Sequence, residues 1–133
     1  MGLALLHDVP VRPGTSGTKL SVMSRVWAAW DEFEVASAQW VPYWQQGGPL
    51  TTDAPDVLIS AHVGEKGVLA VVMNSGQQPV EFDLNLDARA AGMDPEKLLA
   101  RDVITGVPVE FTDGSARMEL LPLHMTMLGI SSE

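Results

Sequence analysis

The chain has 133 residues, enough for one domain or for one small domain with an attached piece. It is 46% hydrophobic and 19% charged, so it can bury a core and is not disordered by composition. With a formal net charge of -9 and only 8 Lys and Arg, it cannot neutralise a phosphate backbone or an anionic membrane surface; neither nucleic acid nor membrane is expected as a partner. There is no cysteine, which excludes disulfides and thiolate metal sites and leaves the compartment unread.

The chain opens on Gly2-Leu3-Ala4-Leu5-Leu6. This continuous apolar run reads as a strand buried on both faces. No element precedes it, so the chain is expected to be the tail of a longer protein or a truncated reading frame. Two Pro and two Gly then mark a loop over residues 9–17. Thr18 or Ser21 can cap a helix in which Val22, Val26, Trp30 and Phe33 recur at helical spacing, with Met23 and Trp27 widening the stripe. The helix is expected to fade between Glu34 and Gln39. Strand, loop and helix together form a βα segment.

All four Trp and the single Tyr lie between Trp27 and Trp44. That shift in composition, with Gly47-Gly48-Pro49 after it, divides the chain into a βα segment over 1–46 and a second module over 47–133. The second module reads as strands. Val57 to Val63 and Val68 to Met73 flank a hairpin turn at Glu65-Lys66-Gly67. In the next run Val80, Phe82, Leu84 and Leu86 alternate with Glu81, Asp83 and Asn85, which is the pattern of a half-buried strand. Residues 88–99 break the pattern. Ala100 to Ile104 and Val107 to Phe111 are expected strands around Thr105-Gly106, and Asp113-Gly114 is a strong hairpin signal. Met118, Leu120, Met125, Met127 and Leu128 supply the closing strands. The fold class is therefore mainly β: an antiparallel β-sandwich preceded by a strand–loop–helix segment.

Three stretches carry a resemblance: Val68 to Gly76 as a strand running into an Asn turn, Ala100 to Gly106 as a strand ending in a Gly turn, and Glu119 to Ile130 as a final strand. Their order resembles the C-terminal end of TIM-barrel glycoside hydrolases of the melibiase and α-amylase type, where a last barrel strand and helix lead into a β-sandwich. The resemblance implies a C-terminal fragment of a carbohydrate-active hydrolase, an upstream catalytic barrel as partner, and a carbohydrate substrate. It also places His7 and Asp8 at the C-terminal end of a barrel strand, where barrel enzymes keep their working residues. His7, Asp8 and Arg12 thereby become candidate walls of a sugar site.

Glycoside hydrolysis needs two carboxyl groups at a defined separation, and Asp8 has no convincing second. No catalytic residue is therefore assigned to this chain, which is expected to be inactive alone; Asp8 otherwise simply ends a strand. Trp40 and Trp44, with Trp27, Trp30 and Tyr43, could stack on a sugar, although large aromatics at such places more often pack a core or a domain junction. His62 and His124 lie on expected strands far apart in sequence and do not form a metal site by spacing, so neither a metal nor a cofactor is expected. The alternation Asp83, Asn85, Asp87 reads as a solvated strand face rather than a calcium site. The alternatives are a stand-alone carbohydrate-binding or interaction module, and a structural fragment that self-associates through an exposed apolar junction.

Overall fold

The computed structural model describes residues 2–8 and 20–132. Two short helices lead in: α1 (Gly2–Leu6) and α2 (Leu20–Glu32). A 3-10 turn (Val35–Ser37) follows, and then eight strands: β1 (Gln39–Val41), β2 (Leu50–Thr51), β3 (Val57–Gly64), β4 (Gly67–Asn74), β5 (Val80–Leu86), β6 (Leu98–Asp102), β7 (Ser115–Leu120) and β8 (Met125–Ser132). All pairings are antiparallel. One sheet has five strands in the order β1-β3-β4-β8-β6, and the other has three in the order β2-β5-β7.

The two sheets face each other across a core of Val68, Ala70 and Val72 from β4, Leu128 and Ile130 from β8, and Phe82, Leu84 and Leu86 from β5. This is the expected sandwich. A second core lies on the other face of the five-stranded sheet. There Leu69, Val71 and Met73 of β4 and Met127 of β8 meet Leu5 and Leu6 of α1 and Met23, Val26, Ala29 and Phe33 of α2 and its end. The molecule thus has three layers: helices, a five-stranded sheet and a three-stranded sheet.

The layers explain the sequence patterns. Every residue of β4 is buried, because alternate side chains enter opposite cores. A strand covered on both faces loses its period-two alternation and reads as an apolar run. β5 has one wet face, so its burial alternates strictly, with Glu81, Asp83 and Asn85 exposed. Each fully buried Leu or Val contributes about 1.5–3 kcal/mol, so the doubly covered strand adds strongly to the stability of the fold.

The first element corrects the expectation. Gly2–Leu6 is a helix, not a strand, and it ends in a turn where His7 N–H donates to Ala4 O and Asp8 N–H to Leu5 O, each at 3.1 Å. A five-residue apolar run is too short to carry a period, so helix and strand look alike in it. Leu5 and Leu6 are buried against the sheet while Leu3 is exposed, so the run is one-sided after all. Among the described residues the segment before β1 thus carries helices and turns and no strand. The loop over 9–17, with Arg12 and the candidate cap Thr18, lies outside the described residues. Val107 to Phe111 makes only an isolated bridge, Arg101 to Pro108, held by Asp102 N–H to Val107 O and Val109 N–H to Ala100 O, each at 2.9 Å. β1, on the N-terminal side of residue 47, pairs with β3 as an edge of the five-stranded sheet.

Two residues fix the sheet ends. Gly67 has φ +123, and a Cβ there would stand 2.1 Å from Ile130 O, so only glycine fits the hairpin against β8. Asn74 ends β4 with no exposed surface. Its Nδ2 donates to Gln78 O at 2.8 Å and Leu120 O at 3.1 Å, and its Oδ1 accepts from Gly76 N at 2.9 Å. One amide therefore ties the exit of β4 to the entry of β5 and the end of β7. Asn74→Ala leaves these backbone groups without partners and should cost roughly 2–4 kcal/mol in urea unfolding. Asn74→Asp keeps the acceptor but loses both donors, and should cost at least as much.

Candidate functional site

The covered face of the five-stranded sheet carries polar groups at its β3 side. In β3 the residues Leu58, Ser60 and His62 share the helix-facing side, opposite Ile59, Ala61 and Val63. Ser60 is buried. Its hydroxyl donates to Leu6 O at 2.8 Å and accepts from Tyr43 N–H at 3.0 Å. A single hydroxyl thereby holds the C-terminus of α1 and the chain leaving β1 at one place.

His7 and Asp8 emerge from that tie. His7 Nδ1 donates to Leu3 O at 2.7 Å, and its Nε2 faces Tyr43 Oη at 3.5 Å. Asp8 takes a left-handed conformation, φ 57, and turns its carboxylate onto His62: Asp8 Oδ1 lies 3.1 Å from His62 Nε2. The His62 side chain is only 11% exposed, and its buried Nδ1 meets no partner among the described residues. Burial pushes the His62 imidazole below its ordinary value, with the Asp8 carboxylate and its hydrogen bond pulling the other way. A second proton would put a buried N–H where no acceptor stands among the described residues, so the neutral form fits the site.

Around these groups lie the aromatics. Trp44 stacks edge-on against Tyr43, ring centroids 5.0 Å apart, and against Trp40 at 5.5 Å; the His7 ring lies 5.8 Å from Trp44 and 5.6 Å from Tyr43. Trp44 is 58% exposed. The arrangement presents an indole face beside an imidazole and a carboxylate, which suits contact with a C–H face bordered by hydroxyl groups.

The structure thus brings His7, Asp8, Trp40 and Trp44 into one cluster, although the element carrying the first two is a helix end. Arg12 lies outside the described residues. Trp30 packs partly against the helical core and Trp27 is 38% exposed, away from the cluster's contacts. Ser60 and His62 also belong to the cluster. Two polar residues at positions 60 and 62, on the face otherwise marked by Leu58, were the available signal. His124 lies in a turn before β8, not on a strand. Among the described residues no three His, Asp or Glu side chains gather as metal ligands.

Residues 22–107 match the family described as glycoside hydrolase 123, C-terminal domain. The chain belongs to this family. The domain also resembles solved structures. A Bacillus halodurans protein assigned as an α-N-acetylgalactosaminidase is 18% identical, with a TM-score of 0.50 over 63% of this chain and 20% of that one. An α-amylase from Anoxybacillus is 14% identical, with a TM-score of 0.49 over 90% and 24% of the two chains. The first shows a shared fold. The domain spans about a fifth to a quarter of the length of these structures. No curated protein matches the sequence.

Two outcomes test the geometry of this glycoside hydrolase 123 C-terminal domain. Ser60→Ala removes both hydrogen bonds of the tie and should lower stability by roughly 1–3 kcal/mol, while Ser60→Thr should retain more of it. The lowered His62 pKa means that the unfolded chain takes up a proton before the native one does. Its contribution is complete above about pH 6.5 and is lost as the pH falls below that value. Urea midpoints at pH 7.5 and 5.5 should therefore differ less for His62→Gln than for the unaltered chain.

Proposed function

We propose that this chain serves as the supporting C-terminal domain of a carbohydrate-hydrolysing enzyme whose catalytic barrel is a separate, upstream part. The family match over residues 22–107 carries this reading. The sandwich buttresses the barrel, and residues 1–46 form the segment through which barrel and sandwich meet. The carboxylates that cleave the glycosidic bond belong to the barrel, since hydrolysis requires a pair held at defined separation and Asp8 is engaged with His62. His7, Asp8, Trp40 and Trp44 line a surface that contacts the carbohydrate. The exposed indole of Trp44 beside polar groups supports that role.

A second reading follows from the same exposure: the domain binds saccharide by itself, as a carbohydrate-binding module. Both readings predict no turnover of aryl glycosides by the purified chain. Turnover that Asp8→Asn abolishes would overturn them. Tryptophan fluorescence titrated with oligosaccharide separates the two. A saturable change lost in Trp44→Ala supports binding by the isolated domain, whereas an unchanged spectrum leaves the cluster as a surface that acts only with the barrel.

A further inference from the structure

Beside the aromatic cluster, the chain from β1 to β2 arches over the open side of the sandwich and encloses a cleft of about 300 Å³. Its walls are Tyr43, Gln45 and Gln46 from the arch, Thr51 and Thr52 from β2 and its end, and the apolar floor of β3. No Asp, Glu, Lys, Arg or His lines it. That is unusual for this molecule, whose net charge is -9 and whose other surface clefts described here each include carboxylates, such as Asp87 and Glu96, or Asp31 and Glu34.

The arch is fastened at both ends. Tyr43 N–H donates to Ser60 Oγ at 3.0 Å, and Asp87 N–H donates to Pro49 O at 2.8 Å. Between them, Gln45 N–H closes a turn onto Pro42 O at 2.9 Å, and Gly47 takes φ +88, which lets the chain bend back. The cleft is thus a built feature of the fold. Tyr43 lines it and also stacks on Trp44, so the cleft and the aromatic face are contiguous.

We infer that this cleft is a binding subsite for an uncharged saccharide ring, continuous with the Trp44 face. Side-chain amides and hydroxyls both donate and accept, and so match sugar hydroxyls, while prolines and the tyrosine ring offer apolar surface to sugar C–H groups. A cleft with no cation cannot neutralise a carboxylated or sulfated sugar, so charged rings are excluded by desolvation. The inference rests on the reading of this domain as part of a carbohydrate-active enzyme and names a second contact surface for it.

The test is a backbone amide NMR titration of the purified full chain with galactose, N-acetylgalactosamine and maltotriose, and with galacturonic acid as the charged counterpart. At least one neutral saccharide should shift the amides of Gln45 to Gly48 and of Thr51 and Thr52 saturably, and galacturonic acid should not. Thr51→Trp fills the cleft from an exposed strand position that accepts an aromatic residue, and should weaken binding at least tenfold. Gln45→Ala combined with Gln46→Ala should weaken it without altering the fold. Shifts confined to His7 and Trp44, lost in Trp44→Ala and unaffected by Thr51→Trp, would overturn the cleft while leaving saccharide contact intact. Equal binding of galacturonic acid, or no shift with any neutral probe, would also overturn it. Turnover of aryl glycosides by the isolated chain would overturn the assignment of catalysis to an upstream barrel and is read separately from these shifts.

Discussion

The two-sided burial of β4 is the constraint on which the rest of the molecule depends. Its side chains at 68, 70 and 72 need a second sheet, and those at 69, 71 and 73 need a different cover. A sheet face carrying Leu69, Val71, Met73 and Met127 cannot be left in water without exposing a large apolar patch. Helices α1 and α2 supply the cover. Phe33, just past α2, packs where Gly129 has no side chain: a Cβ at 129 would come within 2.9 Å of its ring. The helical layer is therefore integral to the domain and not an appendage to a finished sandwich.

That cover also positions the polar cluster. Because α1 must bury Leu5 and Leu6 on the sheet, its last carbonyl reaches Ser60, and the turn after it delivers His7 and Asp8 beside Tyr43, Trp44 and His62. The aromatic face is then a consequence of packing: the helix end and the chain leaving β1 converge on one buried hydroxyl. The chain thus holds the exposed indole of Trp44 in a fixed setting, between Trp40, Tyr43 and His7.

Much of the sandwich was legible in the sequence. β5 shows its wet face in Glu81, Asp83 and Asn85, and the turns at Glu65-Lys66-Gly67 and Asp113-Gly114 are written in residues that tolerate positive φ. What was not legible was short or set by distant contacts. β1 and β2 have three and two residues, below the length at which alternation can be recognised. Helix α1 lacks any local signal that distinguishes it from a strand; only the sheet it lies on decides. The cluster was half legible: His7, Asp8, Trp40 and Trp44 stand out as residue types, but Ser60 and His62 gain meaning only once the helices are known to cover their side of β3. The cleft under the arch could not be read at all, since it arises from residues in a loop and three strands meeting in space.

The central claim is that helices cover the outer face of the five-stranded sheet, and the methionines report on it directly. Met73 and Met127 lie under the helical layer, 5% and 1% exposed, whereas Met118 on β7 is partly exposed. Sulfoxide formation in dilute peroxide, followed peptide by peptide by mass spectrometry, depends on access to the thioether. The three-layer arrangement predicts that Met73 and Met127 oxidise much more slowly than Met118 in the native chain and at a similar rate in urea. Oxidation of Met73 and Met127 as fast as Met118 under native conditions would mean that the sheet face is open, and would contradict the account.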